Sequence, residues 1–100
     1  MAQKIYKTWK VKRFCEPWYQ LSEEEQKDLM TKVNEALEKV GGKRIVLCNA
    51  TWANDQLVGF GVEEFPDIEA VQQHTQLLTE LNWFRYVESE TALGTEWQPV

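Results

Sequence analysis

The stretch "KRIVLCNATWANDQLVGFGVEEF", residues 43–65, decides the fold. Two runs, 43–53 and 57–65, are rich in β-branched and apolar residues, and Asn54, Asp55 and Gln56 between them form a turn signal. The reading is an antiparallel hairpin. Gly59 and Gly61 stand two apart and so face the same side of their strand. They leave a strip without side chains that a ligand or another backbone could approach, although an aromatic neighbour filling it is the commoner outcome. Apolar residues occur at both parities, so the hairpin predicts strands covered on two sides.

Upstream, "KIYKTWKVKRF" (residues 4–14) alternates imperfectly, with Ile5, Trp9 and Val11 on one side and Tyr6, Thr8 and Phe14 on the other. It reads as a second two-sided strand. Pro17 breaks the pattern and brings Trp18 and Tyr19 into a loop. At Ser22 the sequence "SEEE" supplies a capping box, Ser22 with Glu25, and three carboxylates at the positive end of a helix dipole. Leu29, Val33, Ala36, Leu37 and Val40 repeat at helical spacing up to Gly41 and Gly42, which offer the left-handed exit. Downstream, Asp67 is the N-cap of a second helix with Ile68, Val71, Leu78 and Leu81 as its buried stripe and Asn82 as its stop. Residues 84–97, "FRYVESETALGTEW", are extended in character.

The order strand, helix, strand, strand, helix, strand predicts one α+β domain over residues 1–100, a ferredoxin-like βαββαβ unit. Two helices cover one face of a four-stranded antiparallel sheet. The other face needs cover, and the two-sided strands point to a second copy packing sheet to sheet as a homodimer.

A net charge of −5 repels phosphate backbones and anionic membranes, so no nucleic-acid or membrane partner is expected. The basic cluster Lys4, Lys7, Lys10, Lys12 and Arg13 divides between two strand faces and makes no continuous patch. No apolar run marks a leader or a membrane span, which makes reduced Cys15 and Cys48 in the cytoplasm the expectation. Neither cysteine has a basic partner in sequence to activate it. The only histidine, His74, lies far from both, so no metal site is read from the spacing and no cofactor is called for.

With its element order, its two-sided strands and the tail "WFRYVESETALGTEW", the chain resembles the dimeric α/β-barrel superfamily over nearly its whole length. The resemblance implies that two chains pack sheet to sheet, with a late strand clasping the partner. That superfamily includes antibiotic-biosynthesis-type and haem-degrading monooxygenases, muconolactone isomerases, chlorite dismutase-like proteins and stress-responsive barrel proteins. Its haem-degrading members carry an axial histidine on the second helix, where His74 sits. They also use a first-strand asparagine and a third-strand tryptophan, where this chain has Thr8 and Phe60 or Phe65. Two other ferredoxin-like families match less well. "LVGFGVEEF" has acidic flanks where an RNA-recognition module has a basic aromatic motif, and "RFCEPWYQL" lacks the phosphate cradle of acylphosphatases.

At about 100° per residue, His74 falls between Val71 and Leu78, inside the apolar arc facing the sheet. It is read either as a buried neutral core residue or as the wall of a cavity between helices and sheet. In the second reading His74 is a base, Arg85 or Tyr86 stabilises an enolate, Trp9, Trp52 and Trp83 are aromatic walls, and Trp18 belongs to a lid. The expected function is a homodimeric binder of a small aromatic or apolar ligand, with monooxygenase-like or isomerase-like chemistry as its candidate activity. A non-catalytic structural or stress-related dimer is the alternative, and a haem-binding or haem-degrading protein a further one.

Overall fold

The hairpin is present, with a wider connection than its sequence suggests. In the computed structural model, which describes residues 3–97, strand β2 (Lys43–Asn49) runs antiparallel to β3 (Gly59–Phe65) from Lys43 opposite Glu64 to Asn49 opposite Gly59. A register shift separates Arg44 from Val46. The last bond across the pair runs from the Ala50 amide to the Val58 carbonyl at 3.0 Å, and residues 51–57 leave the ladder, where side chains offer the backbone local partners. Asn49 Oδ1 accepts from the Thr51 amide at 2.9 Å and Asn54 Oδ1 from the Gln56 amide at 2.8 Å. Trp52 therefore lies in a turn rather than a strand.

Strand β1 (Ile5–Phe14) pairs antiparallel with β3 on one side and with β4 (Val87–Gly94) on the other, giving the sheet order β2-β3-β1-β4. This is the ferredoxin-like order, and the α+β class follows from the two long helices between the strands. The first of these, α2 (Glu23–Lys39), starts in the expected capping box: Glu25 donates its amide to Ser22 Oγ at 3.1 Å and Ser22 donates its own to Glu25 Oε1 at 2.9 Å. It buries Val33, Ala36 and Leu37, and Gly41 takes the left-handed exit at φ 79°. The other, α3 (Ile68–Glu80), is capped by Asp67, whose carboxylate accepts from the Ala70 amide at 2.8 Å. Its buried stripe is Ala70, Val71, His74 and Leu78, and Ile68 stays exposed.

Two short helices replace segments read as irregular or extended. Pro17 sits in the first turn of α1 (Glu16–Tyr19), where its missing N–H has no intrahelical partner to lose, so Trp18 and Tyr19 are helical. Asn82 takes the expected left-handed conformation at φ 58°, but the chain then forms α4 (Trp83–Tyr86) before β4 begins at Val87.

Alternation assigns the faces. Gly59, Gly61, Glu63 and Phe65 of β3 are all buried, and Lys7, Trp9 and Val11 stand opposite Glu63, Gly61 and Gly59 in β1. This face carries the helices, and Leu37, Phe65, Ala70 and Val71 form its core with Ile5 and Val40. The other face presents Tyr6, Thr8, Val46, Phe60 and Val62, with Val46 43% and Phe60 40% exposed. Among the described residues no helix is long and apolar enough to cross a membrane.

Candidate functional site

Between the sheet and the helices lies a cavity of about 720 Å³. Its floor follows from the glycine strip. Trp9 pairs with Gly61, and a Cβ on Gly61 would come within 2.6 Å of Trp9 Cζ2, so the indole lies across the glycine. At Gly61 the strip is thus filled by an aromatic neighbour, whereas a Cβ at Gly59 would meet the Cys48 carbonyl oxygen and Gly59 borders the cavity. Met30 and Val33 of α2, Leu78 of α3, and Trp83 and Phe84 of α4 supply apolar walls.

Three ionisable side chains meet at one wall. Lys7, Glu63 and His74 are only 6%, 5% and 3% exposed. Lys7 and Glu63 face each other across β1 and β3, and Lys7 Nζ lies 3.4 Å from His74 Nδ1. The His74 ring tilts against Phe65, with 5.2 Å between ring centres. Glu63 Oε2 meets Arg44 Nη2 at 3.9 Å, and Arg44 Nη2 donates to Asn34 Oδ1 at 3.0 Å. Glu63 Oε1 has no hydrogen-bond partner of good geometry among the described residues, although the Trp9 indole helps hold the carboxylate charged.

Burial dominates the electrostatics, because the charged form of each group loses water. It lowers the Lys7 pKa against the raising effect of Glu63, and it raises the Glu63 pKa against Lys7, Arg44 and Trp9. It lowers His74 to about 4, helped by the cations Lys7 and Arg44. The imidazole is therefore neutral at physiological pH. With Lys7 charged, its ammonium donates to Nδ1 and the ring proton sits on Nε2. With Lys7 neutral, Nδ1–H can donate to the amine, which frees the Nε2 lone pair.

Of the residues singled out in the sequence, the structure brings His74, Trp9 and Trp83 together around the cavity. Trp18 stacks on Phe14 at 4.7 Å and meets Trp83 and Tyr86 edge-on at 6.4 and 6.5 Å, so it supports the Trp83 wall without lining the cavity. Trp52 is 84% exposed, next to the cavity-lining Thr51. Arg85 is exposed on α4; the Tyr86 ring packs on Trp18 while its carbonyl accepts from the Cys15 amide at 2.8 Å. Neither lines the cavity. Sequence reasoning missed Lys7, Glu63 and Arg44. The signal for Lys7 was parity, since it shares the face of Ile5, Trp9 and Val11. Glu63 likewise shares the face of Gly59 and Gly61.

No protein-family model matches the chain, and no curated protein does. Solved structures do. A variant of chlorite dismutase from Candidatus Nitrospira defluvii superposes with a TM-score of 0.72 at 14% identity, over 96% of this chain and 41% of that one. The same enzyme in complex with imidazole gives the same four values. A protein of unknown function from Rhodopseudomonas palustris superposes with a TM-score of 0.68 at 16% identity, over 99% of this chain and 86% of that one. The chain spans about two fifths of the chlorite dismutase structures it matches. The likeness, spread over nearly the whole chain, establishes that this protein has the ferredoxin-like α+β fold found in chlorite dismutase.

Proposed function

We propose that the cavity binds a flat, largely apolar molecule of tetrapyrrole size, with haem as the specific candidate and His74 as the side chain that addresses it. One observation carries the reading: a neutral imidazole stands on the wall of a cavity of about 720 Å³ with aromatic sides. That volume is within the usual range for small-molecule sites. The lowered pKa of His74 separates two chemistries. A general base works best with a pKa near the working pH, so an imidazole at about 4 is a weak base for a carbon acid. A metal ligand must be unprotonated, and the same burial keeps the ring so.

The donor set fits haem in one tautomer. His74 would hold the iron through Nε2 with Nδ1–H given to a neutral Lys7, while Trp9 and Trp83 supply aromatic walls. Bound haem would supply iron redox chemistry; these side chains would hold it and exclude water. The position of His74 on the second long helix, like the axial histidine of the haem-degrading enzymes the sequence resembles, and the chlorite dismutase fold support this reading. Titration with haemin, followed by absorbance, tests it. The expected result is one haemin per chain with an imidazole-ligated spectrum that His74→Ala removes. Absence of binding, or an unchanged spectrum in the variant, contradicts it.

We also propose that two chains associate through the open sheet face. Val46, Phe60 and Val62 present apolar surface there, which a second identical face would bury. The cytoplasm is the compartment we propose, supported by two unpaired cysteines, Cys15 and Cys48.

A further inference from the structure

The charges around the cavity run against the charge of the chain. The protein carries −5 overall, yet the cavity lining holds two cations, Lys7 and Arg44, against a single carboxylate, Glu63. Moving a proton from Lys7 to Glu63 leaves the net excess of one positive charge unchanged, because it removes one charge of each sign. The positive excess then rests on the guanidinium of Arg44.

Arg44 is also the cation with donors to spare. Its side chain is 30% exposed while that of Glu63 is 6% exposed, so the guanidinium reaches solvent and the carboxylate is buried. It offers five N–H donors in a planar fork. Among the described residues its one short hydrogen bond goes to Asn34 Oδ1 at 3.0 Å, and its contact with Glu63, at 3.9 Å, is at the outer limit of an ion pair. Strand β2 and helix α2 thus hold a guanidinium and a side-chain amide side by side at the edge of an apolar cavity.

We propose that Arg44, with Asn34 beside it, anchors a carboxylate on the ligand, so that the cavity selects flat apolar molecules bearing an acidic group over neutral ones of the same shape. The inference rests on the cavity being the ligand site. It adds the ligand's charge, which His74 does not determine, and assigns its recognition to a residue on a different element. A planar guanidinium matches a carboxylate in two parallel hydrogen bonds, and charge-assisted bonds of this kind are about twice as strong as neutral ones.

Metal-free protoporphyrin IX and its dimethyl ester test this, since they share the ring, differ in the acid groups and contain no iron for His74 to hold. Binding is read from porphyrin fluorescence and from quenching of tryptophan. The diacid should bind roughly tenfold tighter or more than the diester, with an advantage that shrinks as salt is added. Arg44→Gln should bring the two affinities together by weakening the diacid far more than the diester, and a diester that still binds shows that the cavity is intact. Arg44→Lys should keep part of the preference. Equal affinities in the unaltered protein, or a preference that survives Arg44→Gln, overturn the proposal and leave the cavity reading standing. If neither porphyrin binds, the proposal is overturned, while the haemin titration decides the cavity reading separately.

Discussion

Adding one methyl group at Gly61 tests whether Trp9 lies on the glycine strip. The Cβ of Gly61→Ala would stand 2.6 and 2.9 Å from two atoms of the Trp9 indole and 2.7 Å from the Val46 carbonyl oxygen. The indole lines the cavity and would have to shift to make room. The carbonyl belongs to β2, which is paired with β3, and cannot retreat without disturbing that ladder. Overpacking of this kind costs about 1–3 kcal/mol, and the reduced freedom of the unfolded chain returns about 0.4–1 kcal/mol. The net loss is about 1–2 kcal/mol, a fall in melting temperature of roughly 5–15 °C for a domain this size. Gly94→Ala is the control, because a Cβ there meets nothing within 4 Å. Thermal unfolding followed by circular dichroism compares the two. A Gly61→Ala protein melting as high as Gly94→Ala would refute the placement of Trp9, and with it the floor of the cavity.

Two other predictions concern His74 and the open face. The folded His74 titrates at about 4 against an ordinary 6.5, so between these values the unfolded chain takes up a proton that the folded chain refuses. Its contribution to stability is complete above pH 6.5 and declines as the pH falls toward 4, by up to about 3 kcal/mol. Glu63, whose pKa is raised, acts in the opposite sense. The measurement is therefore the difference in denaturant stability between the wild type and His74→Gln across pH 4–7, and parallel curves would refute it. Phe60→Lys places a charge on the open sheet face, where Phe60 is 40% exposed. Light scattering should show a dimer of the 11.8 kDa chain becoming a monomer in this variant; a wild-type monomer would exclude sheet-to-sheet pairing.

Much of the fold was legible because local chemistry and periodicity agreed. The Ser22 box, the Asp67 cap, the left-handed Asn82 and the antiparallel β2–β3 pair each follow from short-range rules. The short helices α1 and α4 were not legible, since four residues are too few to show a period and the apolar residues of "EPWY" and "WFRY" suit a loop or strand as well. The site was half legible. His74 declared its face through helical spacing, and Trp9 declared its own through alternation beside the glycine strip. Lys7 and Glu63 were hidden because alternation assigns a face but not a depth, and long charged side chains usually reach for water. Burial of this pair depends on the cross-strand register that sets Lys7 opposite Glu63, which neither strand shows alone.

In the function proposed above, the space between helices and sheet is a ligand site addressed by His74. A crystal structure of the protein grown with haemin measures this directly. The expected result is a porphyrin between Trp9 and Trp83 with iron on His74 Nε2 and a propionate at Arg44. Haemin lodged on the open sheet face, or a cavity left empty at saturating haemin, would contradict it.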